Sequence, residues 1–304
     1  MKYPKIPICL LAAAMSASTL AVADDDDELE FEEAFLYFEL NDTDGDLGLH
    51  GKVDGDGWKK VKIEGPNDRK ILDLKVKSGL KRQGMTELFF ESSEPTFDEL
   101  DPEVFFDRFP AGLYEWEGKT LDGKEIEGEV FLSQRIPAAP VVASVGNGAP
   151  PVIDEDGELG CWGKPSGTDV TIDWDAVTKT HASLGSDTGA PLVDDMNMPP
   201  LVDNGVIYYE FVAEVDETDY KMTAVVPPGT TAWTVPAAFI AVATGAGSEE
   251  VKFEIVVRVE TGEYTEEDDG ETETIDSRPG NQSAVESCFL LVEEEDEGED
   301  EGED

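Results

Sequence analysis

The sequence predicts an all-β protein built of two antiparallel β-sandwich domains. Apolar and polar residues alternate with period two in many short runs. Clusters of Gly, Asn, Asp and Pro end those runs at close, regular spacing. Helical signals are confined to one short stretch. Together these features favour stacked antiparallel sheets over a helical or α/β fold.

The first 23 residues stand apart. Lys2 and Lys5 precede an apolar run from Ile6 to Ala14, and Ala21-Val22-Ala23 closes the stretch. A positive start, an apolar middle and small residues before a break read as a secretory leader, followed by an acidic segment over residues 24–33. The apolar run is too short to span a bilayer, which takes about 20 residues. The mature chain is therefore expected to begin near Asp24, in a secreted, periplasmic or cell-surface location.

The first domain is expected over residues 34–136. Ala34 to Leu40 reads as a strand ended by the turn residues Asn41 to Gly45. Leu47 to Val53 and Trp58 to Glu64 follow as separate strands, with Asp54-Gly55-Asp56-Gly57 as the turn between them. Further strands are expected at Ile71 to Val76, Glu87 to Glu91, Gly112 to Gly118 and Lys124 to Gln134. Leu121-Asp122-Gly123-Lys124 is a hairpin turn between the last two. The single helix is expected over Thr96 to Phe109, where acids crowd the start and Val104, Phe105 and Phe109 supply an apolar face.

Ile136-Pro137-Ala138-Ala139-Pro140 marks the domain junction, because two prolines resist continued sheet or helix. The second domain, residues 137–293, carries strands at Asp169 to Asp175, Val206 to Asp216, Lys221 to Val226, Ala232 to Val235, Glu250 to Val259 and Ala284 to Glu293. Two long loops, Val177 to Gly205 and Thr261 to Asn281, interrupt them. The acidic run over residues 294–304 reads as a disordered tail.

Several of these segments together resemble a fibronectin type III domain. Val170-Thr171-Ile172-Asp173-Trp174 is similar to that family's second strand with its buried Trp. Thr230 to Pro236, with Phe239 beyond, is similar to its fifth strand and the following turn. Val251 to Val257 is similar to the sixth strand, and Gly280 to Ser283 to the approach to the seventh. Phe253 stands where the family commonly carries a corner tyrosine, so the resemblance implies that this hydrogen bond is missing. The whole layout also resembles bacterial exported proteins of uncharacterised type. The resemblance implies a fold and assigns no site, since sandwiches of this kind host many unrelated functions.

The charge bounds the partners. Seventy acids face 22 bases, for a formal net charge of −48. The acidic stretches over residues 24–33 and 293–304 hold only 8 and 10 of those acids, so the folded body is acidic as well. Nucleic acid and anionic membranes are poor partners for such a surface, and cations, cationic partners or salt are better ones.

Candidate chemistry is sparse. Asp42, Asp44 and Asp46 sit in the tight Asp42-Thr43-Asp44-Gly45-Asp46 turn, where alternate carboxylates suit calcium. The spacing departs from an EF-hand loop, and ordinary hairpin turns favour the same residue types. No other cofactor is indicated. His50 and His181 lack a partner at zinc-ligand spacing, and no nucleophile motif occurs. Cys161 and Cys288 are the only cysteines after the leader, and export favours a disulfide between them. Trp162, beside Cys161, is the tryptophan expected to be exposed. These observations point to an exported, non-catalytic binding or structural module that presents its long loops to a protein or polysaccharide at the cell exterior, with no nucleic acid partner and no stable membrane span. The alternatives are a calcium-stabilised surface or matrix protein and a secreted hydrolase.

Overall fold

The computed structural model describes residues 29–153, 159–192, 205–215, 218–259, 263–268, 271–276 and 280–292. The leader, residues 24–28 of the acidic segment and the acidic tail lie outside the described residues, and nothing structural is attached to them. Among the described residues, no helix is long and apolar enough to cross a membrane.

The first half contributes β1 (Leu29–Glu30), β2 (Glu33–Asn41), β3 (Asp46–Gly65), β4 (Arg69–Lys75), α1 (Leu80–Gln83), β5 (Met85–Glu91), α2 (Pro102–Arg108), β6 (Gly112–Thr120) and β7 (Glu125–Leu132). The second half contributes β8 (Val142–Val145), β9 (Val170–Trp174), β10 (Val206–Glu214), β11 (Lys221–Val226), β12 (Ala232–Val235), α3 (Ala237–Ala246), β13 (Glu250–Val259), β14 (Glu263–Asp268), β15 (Glu271–Asp276) and β16 (Gln282–Leu290). The chain is thus dominated by strands, as its period-two pattern requires.

In the second half, β12-β9-β8 forms one sheet and β16-β13-β10-β11 lies in the other. Counted from β8 with the separate β14–β15 hairpin set aside, the strands β9, β12, β13 and β16 are the second, fifth, sixth and seventh, which are the positions the family resemblance gave them. Between the sheets lies an apolar core that includes Val170, Ile172, Trp174, Tyr209, Phe211, Phe253, Ile255 and Phe289. Trp174 packs edge-on to Tyr209 at 5.6 Å, and Phe253 stacks on Phe211 at 6.0 Å. The first half has its own core, including Phe38, Leu40, Trp58, Ile63, Tyr114 and Trp116.

The two halves share one sheet. Its order is β1-β7-β6-β3-β2-β16-β13-β10-β11, and β4 and β5 also pair with β3. Most pairings are antiparallel. Two are parallel: β1 with β7, and β2 with β16. The second of these is the seam between the halves, with Gln282, Ser283 and Ala284 opposite Glu39, Leu40 and Asn41.

Asn281 pins that seam from one fully buried position. Its Oδ1 accepts from the Phe38 amide at 2.8 Å. Its Nδ2 donates to the carbonyls of Ser133 at 2.8 Å and Arg135 at 3.0 Å. Ser283 Oγ donates to the Pro137 carbonyl at 2.6 Å. One amide therefore satisfies backbone groups from β2 and from the segment after β7, groups that burial would otherwise leave unpaired.

The structure corrects four expectations. Asp54 to Gly57 is not a turn, because β3 runs unbroken through it for 20 residues. Neither Gly55 nor Gly57 has a positive φ. A Cβ on Gly55 would stand 3.2 Å from Phe31 Cδ1 and 3.3 Å from Ile126 Cδ1, so that glycine admits close packing rather than reversing the chain. The helix expected at Thr96 begins at Pro102. Asp101 caps it by accepting from the Glu103 amide at 2.8 Å, and Pro at the first position suits a start while keeping the preceding residue extended. The helix α3 was not expected from the sequence. Its alanine-rich run follows Pro236 and ends at Gly247, whose φ is 83°. Finally, the long loops are not free. Residues 177–192 strap across the junction, where the His181 amide donates to the Ile136 carbonyl at 2.7 Å. There Ser186 donates to Gln134 at 2.8 Å, and Leu184 packs on the first core. Residues 193–204 lie outside the described residues. The stretch expected as the second loop carries the β14–β15 hairpin.

Replacing Asn281 by Ala removes three hydrogen bonds and strands three buried backbone groups. The expected loss is about 3–5 kcal/mol, since a buried group left unpaired costs about 1–3 kcal/mol. Urea unfolding followed by tryptophan fluorescence measures it, and a loss below about 1 kcal/mol contradicts the pinning role.

Candidate functional site

Side chains on a strand alternate between faces, so the seam brings residues of both halves onto one outer face. One row across it reads Tyr208, Arg258, Gln282, Glu39 and Gly48, from β10 to β3. Another reads Val212, Glu254 and Glu286, from β10 to β16.

At one end of this face lies a buried polar cluster. His50, 5% exposed, sits between two carboxylates. Its Nδ1 is 3.4 Å from Glu39 Oε2, and its Nε2 is 2.9 Å from Glu94 Oε1. Gly48 makes this approach available, because a Cβ there would collide with the Glu94 side chain. Gln282, from the other side of the seam, also donates to Glu39. Burial holds Glu39 above the ordinary carboxylate range, against the pull of His50 and Gln282 and with a further push from Glu94 and Glu91. Tyr37 packs at 5.2 Å from the His50 ring and carries Arg258 at 3.9 Å from its own ring centre. Burial pushes the Tyr37 hydroxyl up to about 12. Arg258 Nη1 donates to Tyr208 Oη at 3.2 Å, while among the described residues its Nε and Nη2 have no hydrogen-bond partner. The cluster joins groups from β2, β3, β13 and β16, and its histidine is covered by Tyr37 and Phe89. It is a polar weld across the seam.

At the other end the face opens. A cleft of about 330 Å³ is lined by Leu159, Gly160, Val212, Glu214, Glu254 and Glu286, among others. Glu254 and Glu286 are directly opposite each other on β13 and β16. Burial pushes Glu254 up to about 7, and the neighbouring Glu39, Glu286 and Glu210 add to it while Lys221 opposes. Glu286 Oε1 accepts from Asn41 Nδ2 at 2.9 Å. Thr43 bonds the Glu286 backbone through its hydroxyl, which accepts from the amide at 2.8 Å.

The Asp42–Asp46 turn therefore docks on β16 through Thr43, and its three aspartates diverge. Asp42 Oδ1 is 3.2 Å from His181 Nε2. Asp44 Oδ2 accepts weakly from Asn41 Nδ2 at 3.4 Å. Burial pushes Asp46 up to about 6, with Glu94, Asp44 and Glu286 adding to it. Among the described residues, the ligand atoms that converge belong to Cys161, Glu250 and Cys288. There the two sulfurs are bonded to each other across 127 residues, which leaves a single carboxylate as an oxygen donor. The disulfide matches the expected pairing. Trp162, expected to be exposed, is 7% exposed. It lies along β16, donating to the Cys288 carbonyl at 2.8 Å and accepting from the Leu290 amide at 2.9 Å, so the disulfide beside it draws it into the core. Glu39 and Glu254 were not singled out by sequence, and His50 was weighed there only as a zinc ligand. The signal open to reading was the acid at every second position of strands whose other face is apolar.

These features define an all-β protein whose second half is a fibronectin type III-like sandwich fused through its last strand to the sheet before it. No protein-family model matches the chain, and no curated protein matches it. Solved structures similar to it include the FN1–FN3 domains of chicken CNTN1, at 7% identity and a TM-score of 0.26, covering 86% of this chain and 65% of that one. Another is a 1.5-MDa bacterial ice-binding adhesin studied for host cell surface retention, at 10% identity and a TM-score of 0.21, covering 87% of this chain and 66% of that one. This chain thus spans slightly less than two thirds of either structure. Likeness at these scores carries no argument, and the fold assignment rests on the strand order.

The raised carboxylates set a pH dependence. Asp46 near 6 and Glu254 near 7 hold protons in the folded state that the unfolded chain releases near 4. Between about pH 4.5 and 7.5 the folded state therefore binds more protons, and stability falls as pH rises through that window. Carboxylates held low by lysines or hydrogen bonds, such as Glu64, Glu125 and Asp122, act below it. Melting temperature is expected to decline from pH 4.5 to 7.5, and the Glu254→Gln variant to decline less. An identical slope in that variant contradicts the assignment of Glu254.

Proposed function

We propose that this protein is an exported, non-catalytic binding or structural module that works at the cell exterior. The observation that carries this reading is the open, carboxylate-lined cleft on a sheet made rigid by the Asn281 seam and the Cys161–Cys288 disulfide. A leader over residues 1–23, a first domain over 34–136 and a second over 137–293 suit it, and the separate apolar cores of the two halves support that division. The acidic surface favours a protein or polysaccharide partner over nucleic acid. The polar groups serve this reading as framework: Glu39 and its partner His50 weld the seam, and Glu254 and Glu286 line the cleft. Two measurements test it. Protein recovered from producing cells should start near Asp24 and sit outside the cytoplasm; intact Met1 in a cytoplasmic pool overturns export. Turnover of a polysaccharide or peptide panel that one carboxylate change abolishes overturns the non-catalytic reading.

A second reading, calcium stabilisation at Asp42, Asp44 and Asp46, is favoured by one observation. Burial pushes Asp46 up to about 6, and Glu94, Asp44 and Glu286 add to it, a crowding that a cation relieves. Calcium is then expected to raise the melting temperature of the parent and not that of the Asp42→Asn/Asp44→Asn/Asp46→Asn variant. An equal rise in both removes these residues from the reading.

A further inference from the structure

We propose that the cleft beside the disulfide binds an organic cation, the lysine or arginine side chain of a partner protein. This rests on the binding-module reading and names the chemistry of its partner. The cleft has carboxylates on its floor and apolar atoms on its walls. Glu254 and Glu286 face each other across β13 and β16, and like charges in that arrangement repel. The same arrangement occurs on β6 and β7, where Glu115 faces Glu129. There both residues are exposed, and Glu129 has a partner of its own. Glu254, by contrast, is half-buried.

The nearby lysines are committed. Lys221 pairs with Glu214 at 2.7 Å, and Lys252, which also lines the cleft, has its own partner. Glu286 is fixed from behind by Asn41, so its carboxylate is held at the rim rather than free to swing away. Leu159, 64% exposed, and Val212 supply the apolar side.

The choice between a metal ion and an organic cation follows from ligand count and size. A divalent ion needs several oxygens converging on one point, and among the described residues no carboxylate trio converges here. At about 330 Å³ the cleft is at the lower end of the range of small-ligand sites. That is room for roughly ten waters at about 30 Å³ each, which suits an alkyl stem carrying a guanidinium or ammonium head. The stem lies along Leu159 and Val212, and the head sits between Glu254 and Glu286, where a charge-assisted pair is strongest away from bulk water.

The test uses singly charged probes, because any polycation binds a protein of this charge. Acetyl-arginine amide is titrated into the full mature protein at about 0.15 M salt, with binding read from amide NMR shifts. The neutral acetyl-citrulline amide serves as the matched control. Shifts localised to residues 159–160, 212–214, 252–254 and 286–288 are expected with the arginine probe. They should be at least tenfold weaker with citrulline and in the Glu254→Gln/Glu286→Gln variant, and unchanged in the Glu115→Gln/Glu129→Gln variant. The single variant Glu286→Gln, at an exposed position, provides the same comparison if the double variant does not fold. Equal binding of the two probes, shifts spread over the acidic surface, or indifference to the Glu254 and Glu286 changes overturns the inference. Turnover in the polysaccharide and peptide panel overturns the parent reading whatever the probes do, so the two failures are distinguishable.

Discussion

The β2–β16 seam is the constraint on which the rest of the structure depends. A sandwich of the fibronectin type III kind would leave its last strand at a sheet edge. Here that strand takes a parallel neighbour from the other end of the chain, and Asn281 holds the join by serving Phe38, Ser133 and Arg135 at once. An exposed strand edge invites pairing with other chains, and covering it removes that hazard. The strap over residues 177–192 and the Ser283–Pro137 bond reinforce the same join. The disulfide ties β16 to the segment before β9. In the chain-entropy model a loop of that length contributes about 5 kcal/mol.

The seam also explains the electrostatics. By running one sheet through both halves, it lays acids of β13 and β16 alongside those of β2 and β3. Each would be unremarkable on an isolated surface strand. Gathered and partly buried, Asp46 and Glu254 hold protons toward neutral pH, and Glu39 is pushed in the same direction. Where His50 and Gln282 supply donors, the acids become a weld. At the cleft, Asn41 donates to Glu286, and Glu254 lies directly opposite it on β13.

What the sequence disclosed and what it withheld follow from the range of the forces involved. Strand existence was legible because one buried face imposes a period of two, as in Val170 to Trp174 or Glu250 to Val259. The disulfide was legible because only two cysteines, Cys161 and Cys288, follow residue 23. The continuity of β3 was hidden, because Asp-Gly-Asp-Gly satisfies turn chemistry as well as it satisfies the close approach of Phe31 and Ile126. The helix α3 was hidden because its run of Ala, Phe, Ile and Val has no polar face, so it carries no helical period. The aspartates of the turn read as a ligand set, yet Asp42 lies against His181, far off in sequence, while Asp44 accepts from the nearby Asn41. Glu254 was hidden for the same reason: its environment is made by Glu39 and Glu286, and pairing of distant strands cannot be read from local pattern.

The seam joins residues 243 positions apart in the chain, and this fixes the order of folding. Contacts of such separation form late and slowly, because loop closure must precede any gain. β2 lacks its second neighbour, and the Phe38 amide its acceptor, until residues 281–284 are available. A chain delivered from its amino end therefore cannot complete its sheet midway. Completion of that sheet waits for nearly the whole polypeptide, so a ribosome must deliver almost the entire chain before the join can close.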